Sequence, residues 1–507
     1  MTHFEAVTRQ RRVILNYDAI AGMMPWLEGE ELVQSMFGSA DLPNSPIDSI
    51  FWNWGEGNYS LYPSKHTPHY DRGRWKRWIE EGFDIVGLCH EGTKARGLES
   101  FFSYRLNGND SDPIEPNRHV TLMPPMKQEH PEWLIHGGTF NRKSPPYNFA
   151  IQEVREHKLD IIAEALDRYD FDGIEIDFAR VCPVLPPDRQ WENRWAITEF
   201  MKGVRRVCNE EARHWKKPVL VAARVPETLE GCHFDGLDVA EWIESQAVDI
   251  LILGVRSLEV DYRAFHDLTA HANNPVKCYP CIDDIHASDG YRNPPIEVFR
   301  GVFANWRRQG FGGVQTFNFQ NSNPRLDLMT PEIEMQHKMV GNLTAKEWLK
   351  SQWDLHRHVY YELQKDSLDN GKMTFVIQRR GGGHAPHLTS YPWDWDTPRW
   401  LYCNTNMEGQ LPAPLYANPR RDVVLKIYVA QKRAPAEIMV ELSHPEDIEV
   451  RVNNARAMPP DVKTRKQVFR LRSMECLALG ENLIGISLKR RKWRCRTTIE
   501  KVEIEVL

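Results

Sequence analysis

The sequence predicts a (β/α)₈ barrel followed by an all-β, jelly-roll-like sandwich. With 507 residues, the chain is too long for one ordinary hydrophobic core. Eight short apolar segments, mostly separated by stretches with helical spacing, predict parallel strands that close into a barrel. After Met373 the chain changes to short strand-like runs between Pro, Gly and Asn, which is typical of an antiparallel sandwich.

These patterns define the elements and boundaries that we expect. The barrel occupies residues 1–345, a connecting helix residues 346–368 and the sandwich residues 369–507. The eight barrel strands are predicted at 12–18, 49–54, 98–106, 171–178, 218–225, 248–255, 276–282 and 312–319. A doubly wound open sheet is the alternative. It would need a Gly-rich phosphate loop after an early strand, and the sequence contains neither GxGxxG nor GxxxxGK[ST].

The segment Phe171–Arg180 combines a buried strand with acidic side chains. Because side chains alternate along a strand, Gly173, Glu175 and Asp177 share one face, whereas Ile174, Ile176 and Phe178 share the other. Asp177 ends the strand, and the carboxyl end of a barrel strand is where barrel enzymes carry their catalytic groups. The alternative is that Glu175 and Asp177 form ion pairs inside the barrel, since buried acids are seldom left unpaired.

Composition restricts the classes of partner. The net charge is −6 with charges of both signs interspersed, so we expect no nucleic-acid partner. The N-terminus shows no apolar signal region and no run of 18 apolar residues occurs, so we expect no membrane partner. We expect a cytoplasmic protein as the chain is written, or a secreted or periplasmic one if a leader has been removed. The nine scattered Cys fit a reducing compartment.

Metal and redox sites receive little support. Cys278 and Cys281 form a CxxC spacing, but they fall in a predicted strand where residues three apart face opposite sides, so we interpret them as structural. His66, His69 and His136 lie in predicted loops without the spacing of a HExxH motif. We therefore expect no catalytic metal and no cofactor, while a structural Ca²⁺ held by loop acids stays possible.

Four segments carry a resemblance to a known family: Ala95–Asn107, His130–Trp133, Val154–Glu156 and Tyr169–Arg180. Together they resemble the bacterial family-10-like glycosyl hydrolases, and the resemblance covers most of residues 11–345. It implies a TIM barrel, often with a C-terminal β-sandwich, that degrades a poly- or oligosaccharide in carbohydrate metabolism. The run Gly480–Leu488 is similar to the last strands of jelly-roll, carbohydrate-binding-type modules, which implies an accessory role for the sandwich.

The acidic strand is also similar to the DxxDxDxE pattern of chitinase-type barrels. Asp172, Glu175 and Asp177 match its first three acidic positions, but Ala179 stands where that pattern has its acid/base Glu. Because this missing acid would protonate the leaving group, the departure argues against a chitinase mechanism.

Glycosidases generally need two carboxyl groups, about 5–5.5 Å apart for retention and about 6.5–9.5 Å apart for inversion. Asp177 is our first candidate, as nucleophile or base, with Glu175 one layer deeper as its support. The second carboxyl should come from another strand end. Its candidates are Asp284 and Asp283 after the seventh strand, Glu227 after the fifth, and then Glu56 and Asp18.

Cations, amides and aromatic rings near the same strand ends are candidates for substrate binding. Arg105, Arg180 and Arg224 could hold the carboxylate or sulfate of an acidic sugar, or could pair with Glu175 and Asp177. The candidate hydrogen-bonding amides are Asn107, Asn318 and Gln320, and the candidate stacking rings are Trp52, Trp54, Tyr59, Tyr62 and Trp191.

Three functions stay open at this stage. The leading one is a glycoside hydrolase that uses Asp177 and an acid from another strand. A non-catalytic carbohydrate-binding barrel would explain the missing acid at Ala179, and a lyase or isomerase of a related acidic sugar could use the same fold. A hydrolase requires a second carboxyl within about 10 Å of Asp177 that opens on a cleft.

Overall fold

The computed structural model describes most of the chain. It describes residues 1–507 except 20–23, 25, 55–57, 70–72, 108–123, 136–144, 180–183, 187–188, 255–257, 284–293, 318, 320–324, 337–341, 366–370, 380–408, 433–434 and 461.

Eight parallel strands form a closed barrel in chain order, with β1 hydrogen-bonded to both β2 and β8. Their bounds are β1 Val13–Asp18, β2 Ile47–Asn53, β3 Glu99–Arg105, β4 Gly173–Asp177, β5 Leu220–Val225, β6 Ile250–Leu253, β7 Lys277–Asp283 and β8 Val314–Phe317. Each strand lies within two residues, at either end, of an apolar segment in the sequence. The predicted barrel is therefore confirmed.

Helices lie between most of these strands. The described helices are α1 His3–Thr8, α2 Gly29–Ser35, α3 Gly73–Glu81, α4 Ile85–Ala95, α5 Pro125–Glu129, α6 Gln152–Arg168, α7 Arg194–Trp215, α8 Leu229–Asp235, α9 Val239–Glu244, α10 Tyr262–Ala270, α11 Ile296–Gln309, α12 Pro331–Met335 and α13 Ala345–Gln364. The helices and the outward faces of the strands bury one large apolar core, as a barrel surrounded by helices requires.

The proline-rich segment 124–135 contains two short helical turns. Pro125 begins α5, and a 3₁₀ turn follows at Pro131–Trp133. Both start with proline, whose fixed φ suits the first turn of a helix and whose missing N–H is not needed there. The high proline content therefore starts short helices as well as interrupting the chain.

Helix α13 begins with a capping box. The Thr344 side chain accepts a hydrogen bond from the Glu347 N–H, and the Glu347 side chain accepts one from the Thr344 N–H. The helix packs against the barrel next to β8, where the Tyr360 hydroxyl lies 3.1 Å from Thr316 Oγ1. The segment predicted as a connecting helix thus also covers the barrel wall.

The C-terminal part forms two antiparallel sheets. One has the order β10-β17-β12-β15 with β9 paired to β17, and the other has the order β11-β16-β13-β14. The bounds are β9 Met373–Val376, β10 Ala413–Pro414, β11 Val423–Val429, β12 Ala436–Leu442, β13 Ile448–Val452, β14 Ala455–Arg456, β15 Lys466–Arg470, β16 Gly480–Leu488 and β17 Thr498–Val506. Buried and more exposed residues alternate along β11, as in a sheet with one face on a core. The predicted sandwich is confirmed.

The sandwich contacts the barrel through backbone as well as side chains. Gln378 Oε1 accepts hydrogen bonds from the Leu258 and Glu259 N–H groups at 2.8 and 2.9 Å. Asn305 of α11 donates to the Tyr428 carbonyl at 3.0 Å. These bonds satisfy buried or half-buried polar groups where the two parts meet.

Within the described residues, no helix has both the length and the apolarity that a membrane crossing requires.

Candidate active site

The inside of the barrel is built from alternate residues of each strand. On β4, Ile174 and Ile176 belong to the outer core, so Gly173, Glu175 and Asp177 point inward, as strand alternation predicts. A Cβ on Gly173 would lie 2.3 Å from Phe101 Cε1 and 2.6 Å from the Leu220 carbonyl oxygen. Glycine at this position therefore allows the neighbouring strands to approach. Glu175 and Asp177 are the next two inward-facing residues, each one level closer to the carboxyl end of the barrel.

The amino-terminal end of the barrel is closed by a buried ion pair. Arg11 donates to the two carboxylate oxygens of Glu99 at 2.7 and 2.8 Å, and the Ser49 hydroxyl donates to Glu99 as well. Arg11 is 1% exposed and Glu99 is 3% exposed. A bidentate pair with a further donor satisfies both charges, as burial at this depth requires.

Glu175 occupies the middle of the barrel within a network of neutral donors. Its oxygens accept hydrogen bonds from Asn16 Nδ2 at 2.7 Å, from the Ser103 hydroxyl, and from Gln315 Nε2 at 2.8 Å. Burial raises the pKa of Glu175, and the negative charge of Asp177 raises it further, whereas Arg224 and the hydrogen bonds from Ser103 and Gln315 oppose the shift. Glu175 is thus held by these neutral donors one level below Asp177 in the barrel, and its role as a support for Asp177 stays a prediction.

Asp177 lies at the carboxyl end of β4 and is fully buried. Arg224 of β5 donates from Nε to Asp177 Oδ1 at 3.0 Å and from Nη2 to Oδ2. The two residues are direct neighbours in the β4–β5 register, so the closed sheet itself brings them together. Oδ1 also accepts from the Ala179 N–H at 3.1 Å, and this holds the carboxylate in one orientation.

A second guanidinium group lies on the other side of Asp177. Arg105 of β3 is the neighbour of Asp177 in the β3–β4 register, and its Nε is 3.8 Å from Asp177 Oδ2. Arg105 Nη2 also donates to Asp18 Oδ2 at 3.0 Å. The ion pairs therefore connect Asp18, Arg105, Asp177 and Arg224, which come from four different strands.

Both guanidinium groups lie near the ring of Phe317. The Arg224 Cζ is 4.2 Å and the Arg105 Cζ is 5.7 Å from its centroid. Burial by itself would lower the pKa of Arg224, but the charges of Asp177 and Glu175 raise it above its ordinary value. Arg224 is therefore a permanent cation next to Asp177.

Asp283 adds a third carboxylate to this end of the barrel. Tyr279 and Cys281 of the same strand face the inner apolar cluster, so Asp283, two residues further, also points inward, and it is fully buried. The charge of Asp283 favours protonation of the buried His356 in α13, but burial is the larger effect and lowers the pKa of His356 to about 3. His356 is therefore neutral at physiological pH, and its ring stacks on Phe319 at 4.4 Å.

Other candidate residues lie beyond the strand ends or in the packed core. Glu227 is buried two residues beyond the end of β5. Asn107 exchanges hydrogen bonds with the backbone of Tyr147 at 2.9 and 3.3 Å and thereby holds two loops together. Trp54 is 1% exposed against Trp52, with ring centroids 5.5 Å apart, and Tyr62 is 4% exposed. The role of these side chains in substrate binding stays a prediction.

Several sequence candidates cannot be placed. Asp284, Arg180, Asn318, Glu56, Gln320 and His136 lie outside the described residues. The sequence candidates did not include five residues that lie against the acids or their arginines, namely Asn16, Ser103, Gln315, Phe317 and His356. The alternation along β1, β3 and β8 could have identified the first four as inward-facing residues. Nothing in the local pattern marks His356, because its position depends on how α13 packs.

The two cysteines of the CxxC spacing lie on β7. Cys281 belongs to the inner cluster and Cys278 to the outer core, so they face opposite sides of β7, as predicted. Burial raises the pKa of the Cys281 thiol. No group of three or more His, Cys, Asp and Glu within the described part of the chain could hold a metal ion.

A cavity of about 450 Å³ lies at the amino-terminal end of the barrel, away from Asp177. It is lined by residues that include Arg9, Arg11, Lys277 and Tyr279. In barrels this end is associated with stability rather than catalysis. The candidate active site is accordingly the cluster of acids and arginines at the carboxyl ends of the strands.

Comparisons with known proteins find similarity of structure only. No family model and no curated protein sequence matches the chain. α-L-Fucosidase isoenzyme 2 from Paenibacillus thiaminolyticus aligns with 72% of this chain at 12% identity and a TM-score of 0.45, and the match spans only 51% of the fucosidase.

Two further solved structures align over nearly their whole length. The maltogenic α-amylase AmyB from Thermotoga neapolitana has 11% identity and a TM-score of 0.39, with 95% of this chain and 99% of the amylase covered. A GH29 α-L-fucosidase from Bacteroides thetaiotaomicron has 10% identity and a TM-score of 0.37, with 97% of each chain covered. The chain is thus similar in structure to glycoside hydrolases, at an identity too low to transfer an activity.

Proposed function

We propose that this protein is a glycoside hydrolase that acts on a poly- or oligosaccharide through Asp177 and a carboxyl group from another strand. One observation carries the proposal: the strands β1, β3, β4, β5 and β7 bring three aspartates and two arginines together at the carboxyl end of a closed barrel. Glycosidic bond cleavage generally needs two carboxyl groups with different roles. The carboxyl end of the strands is where barrel enzymes have their active sites.

In this proposal Asp177 is the nucleophile or the base. The two bonds from Arg224 orient its carboxylate, and the cation balances the negative charge in a buried site. The candidates for the second carboxyl remain Asp284, Asp283, Glu227 and Asp18. Of these, Asp283 and Asp18 end strands of the barrel, and Glu227 follows the strand of Arg224.

The test compares the wild type with Asp177→Asn on a panel of oligosaccharides, with cleavage measured by product chromatography and binding by calorimetry. Asn has the shape of Asp but no carboxylate. We therefore expect Asp177→Asn to lower the cleavage rate by about 10²- to 10⁴-fold and to retain oligosaccharide binding. Asp48→Asn is the matched control, because Asp48 also accepts two bonds from an arginine, Arg12, but near the start of a strand, away from the candidate site. Unchanged cleavage in Asp177→Asn would overturn the proposal.

A second candidate function is a non-catalytic carbohydrate-binding barrel. The observation that favours it is the full burial of Asp177 in its pair with Arg224, since such a pair also suits a purely structural role. Binding of oligosaccharide by both proteins, with cleavage by neither, would support this candidate. Loss of the folded state in Asp177→Asn, seen by urea unfolding, would assign Asp177 to the barrel's internal ion pairs.

A further inference from the structure

The loop between β16 and β17 is strongly basic. Its sequence is Lys489-Arg490-Arg491-Lys492-Trp493-Arg494-Cys495-Arg496, in which six of eight residues are cationic. We call residues 489–496 the basic loop. The chain as a whole has a net charge of −6, so the composition does not reveal this local concentration of positive charge.

The two lysines of the basic loop hold it against the sandwich. Lys489 Nζ lies 3.1 Å from Asp447 Oδ1, and Lys492 Nζ lies 2.6 Å from Glu446. Their backbone N–H groups donate to the carbonyls of Asp447 and Ala417 at 2.9 and 3.0 Å. The path of the loop is therefore fixed at two points by its lysines, and these contacts do not involve its four arginines.

The four arginines of the loop are exposed, and no carboxylate of the described residues lies within ion-pair distance of them. Arginine presents a planar fork of donors that matches a carboxylate or a sulfate group. Four such side chains within seven residues, Arg490, Arg491, Arg494 and Arg496, create a surface that attracts polyanions.

Trp493 lies among these arginines with its side chain fully in water, at 102% relative exposure. Tryptophan is highly buried on average, so a fully exposed ring is unusual. A flat aromatic face next to cations can stack on the ring of a sugar while the arginines hold its charged substituents. The loop therefore combines both parts of an acidic-sugar binding surface.

We propose that the basic loop binds an acidic polysaccharide, with its carboxylate or sulfate groups on the arginines and a sugar ring on Trp493. The choice of a polysaccharide rests on the proposed function of the barrel. A lone Trp offers less apolar surface than a membrane-inserting segment, and single-stranded nucleic acids are bound by several aromatic rings that stack on successive bases.

The test measures the binding of the full chain to polygalacturonate, dextran sulfate and neutral dextran by affinity electrophoresis. The loop variant replaces Arg490, Arg491, Arg494 and Arg496 with Ser. The control variant replaces four exposed cations elsewhere in the sandwich with Ser, namely Lys426, Lys466, Arg470 and Arg472. We expect the loop variant to bind the two polyanions about tenfold or more weakly, and the control to bind like the wild type. Trp493→Ala should weaken binding severalfold, and added salt should weaken it in the wild type.

Three outcomes would overturn the inference. They are equal binding by the loop variant and the wild type, equal losses in the loop and control variants, and tighter wild-type binding to poly(U) RNA or phosphatidylserine vesicles than to polygalacturonate at the same salt. Urea unfolding of each variant checks that the fold is intact.

The two proposals can fail separately. Suppose that the wild type cleaves no oligosaccharide and that the loop variant has lost the polyanion binding of the wild type. The proposed hydrolase function then fails, and the basic loop stands as a binding surface. If Asp177→Asn abolishes cleavage and the loop variant binds polyanions normally, the reverse holds. Polyanion binding is also measured with Asp177→Asn, so that cleavage of the probe by an active enzyme does not distort the result.

Discussion

Arg224 and Asp177 form a fully buried ion pair in the candidate site. Taking two charges out of water is costly, and their mutual attraction compensates only when the geometry is good. The two parallel hydrogen bonds, together with the Ala179 N–H, provide that geometry. Removing one partner should therefore be much more damaging than the net contribution of the pair suggests.

Arg224→Met should lower the free energy of unfolding by about 3–5 kcal/mol at pH 7, because it leaves the Asp177 charge buried without its main partner. Arg224→Lys keeps the charge but not the fork, so we expect a smaller loss of stability and a cleavage rate about 100-fold lower. Urea unfolding and kinetics measure the two effects. The control Arg12→Met breaks an exposed bidentate pair with Asp48 and should cost about 1 kcal/mol or less. Equal losses in Arg224→Met and Arg12→Met would contradict the argument.

Glu175 makes the stability of the barrel dependent on pH. Its pKa is raised in the folded protein, so between its ordinary value and the raised value the folded chain holds a proton that the unfolded chain has lost. Stability therefore falls as pH rises through this interval, by at most about 1.4 kcal/mol per pH unit.

Glu175→Gln should remove this slope. Gln315 Oε1 accepts no hydrogen bond from the described residues, so a rotation of the Gln315 amide can provide an acceptor for the new N–H group. We expect the unfolding free energy of the variant, relative to wild type, to increase with pH above about 4.3 and then to level off. Urea unfolding of both proteins from pH 4 to 8 measures the difference, and a difference that stays constant over this range would contradict the assignment.

At the scale of elements, β4 fits between its neighbours because it begins with glycine. Phe101 of β3 fills the space that a side chain on Gly173 would need, and the Leu220 backbone of β5 lies nearly as close. The register of β4 therefore depends on Gly173, and with it the heights at which Glu175 and Asp177 enter the barrel.

Gly173→Ala should destabilise the protein by about 1–3 kcal/mol, since its Cβ meets both a packed ring and a backbone oxygen that cannot move away easily. It should also lower activity through displacement of Asp177. Gly312→Ala is the matched control, because a Cβ there has no atom within 4 Å. Urea midpoints and cleavage rates test both variants. Similar urea midpoints and cleavage rates for Gly173→Ala and wild type would show that β4 can shift without loss of stability or activity.

At the scale of the whole molecule, helix α11 joins the barrel to the sandwich. A Cβ on Gly301 would lie 2.2 Å from the Thr374 carbonyl oxygen of β9, so the helix and the strand touch through their backbones. Close packing of this kind couples two bodies mechanically, because neither surface can deform without loss of contacts.

Gly301→Ala should separate the unfolding of the two parts. Alanine favours the helix by about 0.5–1 kcal/mol over glycine, so the barrel itself should not lose helix stability, whereas the contact with β9 must open. Calorimetry should then show a broadened or split transition. Arg308→Ala near the end of the same helix is the control and should leave the transition as in wild type. A sharper or unchanged transition in Gly301→Ala would contradict this coupling.

The sequence alone predicted the eight strands, the sandwich and the inward face of β4, because alternation of apolar and polar residues is a local property of each strand. It also named Asp177, Arg105 and Arg224 as residues at strand ends. It left open whether the arginines bind substrate or Asp177, since that depends on which strands are neighbours and in which register.

Only the tertiary structure decided those relations. Closure of the barrel placed Arg105 and Arg224 on either side of Asp177, and packing of α13 brought His356 near Asp283. Folding of the sandwich likewise left the arginines of the basic loop exposed. Local chemistry determines which residues a strand or loop can offer, but ion pairs and burial are long-range properties that arise only when the strands meet.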